Sequence, residues 1–117
     1  MILVSFDCET VSEANQRDHH FAKAKRVKVQ RQTTAAHLQA SGFDPEPIAA
    51  SKPTVTLTRI GRRALDTDNL AGSLKAVRDE VAKWLGVDDG PRGPVTWAYR
   101  QETHKGPLCK VRIEVGT

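Results

Sequence analysis

Four aspartates dominate the chemistry that this chain could carry. Asp66 and Asp68 are separated by a single residue, and the adjacent pair Asp88-Asp89 closes the same acidic stretch. Carboxylate oxygens are the ligands a hard cation such as Mg²⁺ prefers, usually with waters and substrate phosphates completing the shell. Two aspartates at i and i+2 just ahead of a helix can converge on one ion, because the backbone there is not yet helical. A third ligand must then come from elsewhere in the chain. The spacing leaves plainer roles open as well: Asp68 as a helix N-cap, and Asp88-Asp89-Gly90 as a turn.

A helix from Asn69 to Leu85 has to position these acids. Leu70, Leu74, Val77, Val81 and Leu85 recur at helical spacing and form one apolar stripe. Asp66, Thr67 or Asp68 can cap its start, and Gly86 stands where a left-handed C-terminal cap belongs. Asp68, Gly72, Lys75 and Asp79 fall on the side opposite the stripe, so one face feeds the core while the other is free for a ligand. A helix of that length extends about 25 Å at 1.5 Å per residue. Asp89 therefore approaches Asp66 only if the chain turns back sharply after Trp84, if the helix breaks earlier, or if a second subunit supplies the ligand.

The remaining elements are simpler to read. Ile2–Phe6 is a short β-branched run ending at Asp7, the pattern of a strand. Asp18–Ala40 contains no Pro or Gly and is rich in Ala, Lys, Arg and Gln, which predicts a helix. Its apolar stripe (Phe21, Ala24, Val27, Leu38) is thin. Ser41–Pro53, with Gly42 and three prolines, predicts an irregular connector. Thr54–Ile60 alternates with period two, as do Val95–Arg100 and Val111–Val115, predicting strands with one buried face. His104-Lys105-Gly106-Pro107 predicts a turn. The fold expected over residues 1–117 is a single α+β domain of order β-α-β-α-β-β, with two helices packed on a mixed sheet.

The chain carries a formal charge of +4, with 38% hydrophobic and 27% charged residues, as an ordinary globular domain does. Arg17, Lys23, Lys25, Arg26, Lys28 and Arg31 face only Asp18 in their stretch, while acids gather from Asp66 to Asp89. Basic charge suits a polyanionic partner, and clustered carboxylates beside it suit a metal near a phosphate backbone. Arg59, Arg62 and Arg63, immediately ahead of the aspartates, are placed to bring a phosphodiester toward them. No apolar run is long enough to cross a bilayer, and MILVSFDCE is no signal peptide. Cys8 and Cys109 read as thiols of a reducing cytosol rather than as a zinc or disulfide framework.

The stretch Arg62-Arg63-Ala64-Leu65-Asp66-Thr67-Asp68-Asn69-Leu70, followed by Asp88-Asp89, resembles the RusA family of Holliday junction resolvases, nucleases of phages and prophages that act in DNA recombination and repair. That family is marked by an Asp-x-Asp-Asn-Leu element opening a helix and an Asp-Asp pair after it. The likeness is concentrated between Leu65 and Asp89. It extends more weakly to Asn15, His19-His20 and the basic helix. It implies a RusA-like fold and a homodimer that binds branched DNA and cuts it. It also implies Mg²⁺ or Mn²⁺ as cofactor, with Asp66, Asp68 and Asp89 as ligands and Asp88 beside them. Lys23, Lys25, Arg26 and Lys28 would contact DNA with the three arginines of 59–63. Family members often carry a functional lysine four residues after the second aspartate. Here that position is Gly72, and Lys75, one turn further along the same face, is the candidate to substitute for it. The departure makes a binding protein that has lost catalysis the alternative reading.

Trp84 and Trp97 could stack on bases, although core packing is the commoner use of tryptophan, and 90–94 is expected to be a turn rather than a phosphate loop.

Overall fold

The computed structural model describes residues 1–10, 20–106 and 108–116. Arg17, Asp18, Asn15, His19 and Pro107 lie outside the described residues. The elements run β1 (Ile2–Asp7), α1 (His20–Ala40), α2 (Pro45–Ala50), β2 (Thr54–Gly61), α3 (Thr67–Ser73), α4 (Lys75–Leu85), β3 (Thr96–Thr103) and β4 (Lys110–Gly116). The expected α+β order is present among the described residues, with a short helix added in the connector and the second expected helix divided in two.

The strands form one mixed sheet in the order β1-β4-β2-β3. β4 pairs antiparallel with both β1 and β2, and β2 pairs parallel with β3. The parallel pair requires a crossover, which α3 and α4 supply. Register puts Val55, Leu57 and Arg59 of β2 beside Trp97, Tyr99 and Gln101 of β3 on one face, and beside Val115, Ile113 and Val111 of β4. This is the face the helices cover. The opposite face is polar, with Arg112 paired to Glu102 and, at 3.0 Å, to Glu114. A sheet built mostly of antiparallel neighbours tolerates one wet face.

Sequence periodicity locates the core well on α3, α4 and the strands. Leu70, Leu74, Val77, Val81 and Leu85 are all buried and join Val55, Leu57, Val111, Ile113 and Val115 in one cluster. At α1 the expectation holds at Leu38 and fails toward the start of the helix. Phe21 is 72% exposed, Ala24 is exposed, and the line that is buried on α1 is Gln30, Thr34 and Leu38. Two polar residues bury there because each has a partner: Gln30 Nε2 donates to the Glu9 carbonyl at 2.6 Å and Thr34 Oγ1 to the Gln30 carbonyl at 2.7 Å. A hydrogen-bonded polar group avoids most of the desolvation cost.

The connector 41–53 is also not irregular throughout. Asp44 caps α2, accepting from the Glu46 N–H at 3.1 Å, and Pro45 occupies the first helical position. Proline breaks a helix interior but is pre-organised for its first turn. The helix expected over Asn69–Leu85 starts at Thr67 and breaks at Leu74, whose ψ of 6° leaves the helical range.

Candidate functional site

The loop that delivers Asp66 is held from two sides. Arg59, 7% exposed on the helix-covered face of β2, donates Nη1 to the Arg63 carbonyl at 2.8 Å. Its Nε and Nη2 both reach the Thr10 carbonyl at 3.2 Å. Gly61 makes this possible, since a Cβ there would stand 2.8 Å from Arg59 Nη1. On the other side Gln101 of β3 grips both backbone groups of Leu65: Oε1 accepts from its N–H at 2.8 Å and Nε2 donates to its carbonyl at 2.7 Å. Asp66 follows immediately. Its Oδ1 accepts from the Asn69 N–H at 3.2 Å, so Asp66 is the N-cap of α3 and Asp68 lies exposed in the first turn.

The far end of the acidic stretch comes back toward this helix pair. Gly86 takes the left-handed conformation at φ 72° and stops α4. Asp88 Oδ1 accepts from the Gly90 N–H at 3.0 Å, and the chain tightens until a Cβ on Gly93 would stand 2.1 Å from the Asp88 carbonyl oxygen. Only glycine fits that approach. The reversal puts Asp89 into a pocket of about 380 Å³ with Ala71 and Gly72 of α3, Lys75 and Arg78 of α4, and Tyr99 of β3. Asp68 stands one turn before Ala71 and Gly72. No atom lies within 4 Å of where a Gly72 Cβ would be, so this side of the pocket is open.

The carboxylates do not close on a common point. Among the described residues, no three His, Cys, Asp or Glu side chains are grouped as a metal site. Asp66 is engaged by its cap. Asp79 takes Lys75 Nζ at 3.2 Å, and Asp89 Oδ2 stands 3.5 Å from Arg78 Nε. The aspartates suit a hard divalent cation in kind, but the arrangement is not a preformed cage for one.

The basic residues divide into three places. Lys23 and Lys28 line a groove between α1 and α4 with Arg31 and Lys83, beside Glu80, which binds Arg31 Nε at 2.8 Å. Lys25 and Arg26 line the other side of α1, with Asp7 and Glu9 close by. Arg62 and Arg63 are exposed at the mouth of a third hollow that includes Arg59 and Cys109. Arg59 itself is buried and tied to backbone carbonyls, so its charge braces the loop rather than standing at the surface as expected.

Sequence reasoning missed Arg78 and Gln101, which hold the two ends of the acidic stretch. Trp84 and Trp97 pack against the core, and Trp97 carries the Arg78 guanidinium on its ring, 4.9 Å from the centroid. Cys8 and Cys109 are free thiols on neighbouring chain segments, joined by a Cys8 N–H to Cys109 carbonyl bond of 2.9 Å. Burial, then the neighbouring Cys109 and Glu9, push the Cys8 thiol up to about 11. No helix among the described residues is long and apolar enough to cross a membrane.

Comparison with protein-family models, with curated proteins and with solved structures returned no match for the chain.

Proposed function

We propose that this chain is a structure-selective DNA endonuclease of the RusA type, acting on Holliday junctions or other branched DNA as a homodimer. The observation that carries the reading is the chain reversal after α4. It sets Asp89 in one pocket with Gly72 and Lys75, on the helix pair whose first turn carries Asp68, and this supports reading the two ends of the acidic stretch as one site. Asp66, Asp68 and Asp89, with Asp88 alongside, would hold Mg²⁺ or Mn²⁺, which supplies water activation and charge stabilisation at a phosphodiester. Lys75 would offset developing negative charge on the open side of the pocket. Arg62 and Arg63 at the loop, and the lysines of α1, would track phosphates, while Arg59 keeps the loop in place. Two copies related by a twofold axis would meet the two equivalent strands of a junction.

A second reading has its own support. The acids stand apart and paired, and Gly72 occupies the place of a lysine, as in a DNA-binding protein of the same ancestry that no longer cuts. Incubation with a labelled four-way junction, with and without Mg²⁺ or Mn²⁺, separates the two. Symmetric nicks that require the metal support the nuclease. Junction binding without nicks at any metal concentration selects the binding protein. Binding no tighter than to a linear duplex removes both.

A further inference from the structure

Arg78 joins three elements that are otherwise separate at the pocket. It belongs to α4, and its guanidinium lies over Trp97 of β3. Nη1 donates to the Tyr99 hydroxyl at 2.9 Å, and Nη2 donates to the Asp89 carbonyl in the returning loop. Nε faces Asp89 Oδ2 at 3.5 Å, and it is buried with no hydrogen-bond partner. The side chain is 25% exposed and that of Asp89 is 40% exposed. One planar cation thus stacks on an indole and holds both the backbone and the carboxylate of a single aspartate.

We infer that Arg78 is a positioning residue that sets where the Asp89 carboxylate stands over the open face of α3 and α4. This rests on the nuclease reading for its consequence, but its geometry stands without it. The task needs arginine. A lysine keeps the charge, yet it lacks the flat face for Trp97 and the fork that reaches Tyr99 and Asp89 together. Without that fork the reversal at 88–93 still forms, because Gly86 and Gly93 permit it, but nothing fixes Asp89 against α4. Arg78 touches none of the atoms of a substrate in this role. It acts through Asp89, as an outer partner orients a metal-ligating carboxylate.

The test compares wild type with Arg78→Lys, which keeps the charge, and Tyr99→Phe, which removes only the hydroxyl that receives Nη1. Three quantities are read: amide hydrogen exchange across residues 86–95, Mn²⁺ affinity by electron paramagnetic resonance, and junction cutting against Mn²⁺ concentration. Arg78→Lys should speed exchange in 86–95 while leaving the α4 amides protected. It should also weaken Mn²⁺ binding by about 10-fold or more, the usual effect of losing an outer partner, with junction affinity unchanged. Tyr99→Phe should move each quantity the same way and less. Unchanged exchange in 86–95 in Arg78→Lys overturns the inference whatever the enzyme does. Looser exchange with wild-type Mn²⁺ affinity and cutting also overturns it, since Arg78 would then brace only the loop. If wild type neither binds Mn²⁺ nor cuts while exchange rises in Arg78→Lys, the nuclease reading falls and the hold of Arg78 on Asp89 remains.

Discussion

α1 packs against α4, yet α1 and the α3–α4 pair reach the core by different means. α3 and α4 present an unbroken apolar stripe, and every stripe residue is buried. α1 buries Gln30 and Thr34 along with Leu38, and it leaves Phe21 and Val29 exposed. The first arrangement frees the opposite helix face, where Gly72, Lys75 and Arg78 line the pocket with Asp89. The second distributes cations around the helix, Lys23 and Lys28 on one side and Lys25 and Arg26 on the other. One region gathers Lys75, Arg78 and Asp89 around a single pocket. The other is organised as a charged rod.

On the proposed nuclease reading, the sharpest division expected between them is catalytic. Asp66→Asn and Asp68→Asn should reduce single-turnover junction cutting to background with junction affinity retained or raised, because each removes a carboxylate and a negative charge near phosphate. No single lysine change on α1 should do the same. If either asparagine variant cuts at the wild-type rate, that carboxylate has no part in the proposed cutting.

Lys75→Ala should follow, at about 10²-fold in rate, the usual scale for removing one electrostatic stabiliser of a transition state. Gly72→Lys should recover part of that loss, since a side chain at 72 meets open space. It should also favour the helix, lysine being the better helix former. Rates for the four combinations of these two positions decide whether the cation at 75 has taken the place of the missing one at 72.

Stability gives the next contrast. Leu74 is fully buried at the break between α3 and α4, and Leu74→Ala should cost about 2–5 kcal/mol. Gln30→Ala removes one hydrogen bond to Glu9 and should cost about 1 kcal/mol. Chemical denaturation measures both. Equal losses would mean that α1 is as firmly seated as α4.

Within α1, neutralising Lys23 and Lys28 together should lower the slope of log affinity against log salt by about 0.9 for each phosphate that no longer has a cation beside it. The same treatment of Lys25 and Arg26, which stand near Asp7 and Glu9, should have less effect. Equal changes would make the whole rod a DNA-binding surface and erase the difference between its sides.

A further contrast concerns pH. Burial raises the Cys8 thiol from 9.0 to about 11, so the folded chain favours the protonated form. The associated stability is fully present below pH 9, declines as pH rises, and is lost by about pH 11. The denaturation midpoint should fall across that window in wild type and stay flatter in Cys8→Ala.

What the sequence disclosed follows the same contrast. The stripe from Leu70 to Leu85, the cap at Asp66 and the stop at Gly86 are local signals, carried by spacing of a few residues. The three alternating strands are equally local. Arg59, Arg78 and Gln101 are not. Each acts through side-chain bonds to groups far away in the chain, and such bonds leave no periodic trace. A basic residue in a charged segment reads as solvated until its partners are placed. α2 escaped because prolines read as breakers, although Asp44 ahead of Pro45 is itself a helix-start signal.

The place of β4 in the sheet bears on how the domain assembles. β1 and β2 do not pair with each other; β4 lies between them and pairs with both. The β1–β4 ladder closes a loop running from Val4 to Ile113, and ordering a loop that long precedes any gain from its pairing. Helix formation and the β2–β3 crossover can proceed earlier, since their partners are nearer in sequence. Insertion of 110–116 between two waiting edges is then the event expected last, and it unites β1 with the rest. Topologies dominated by such distant pairings fold slowly, and until that strand arrives both edges are open to strands of other chains.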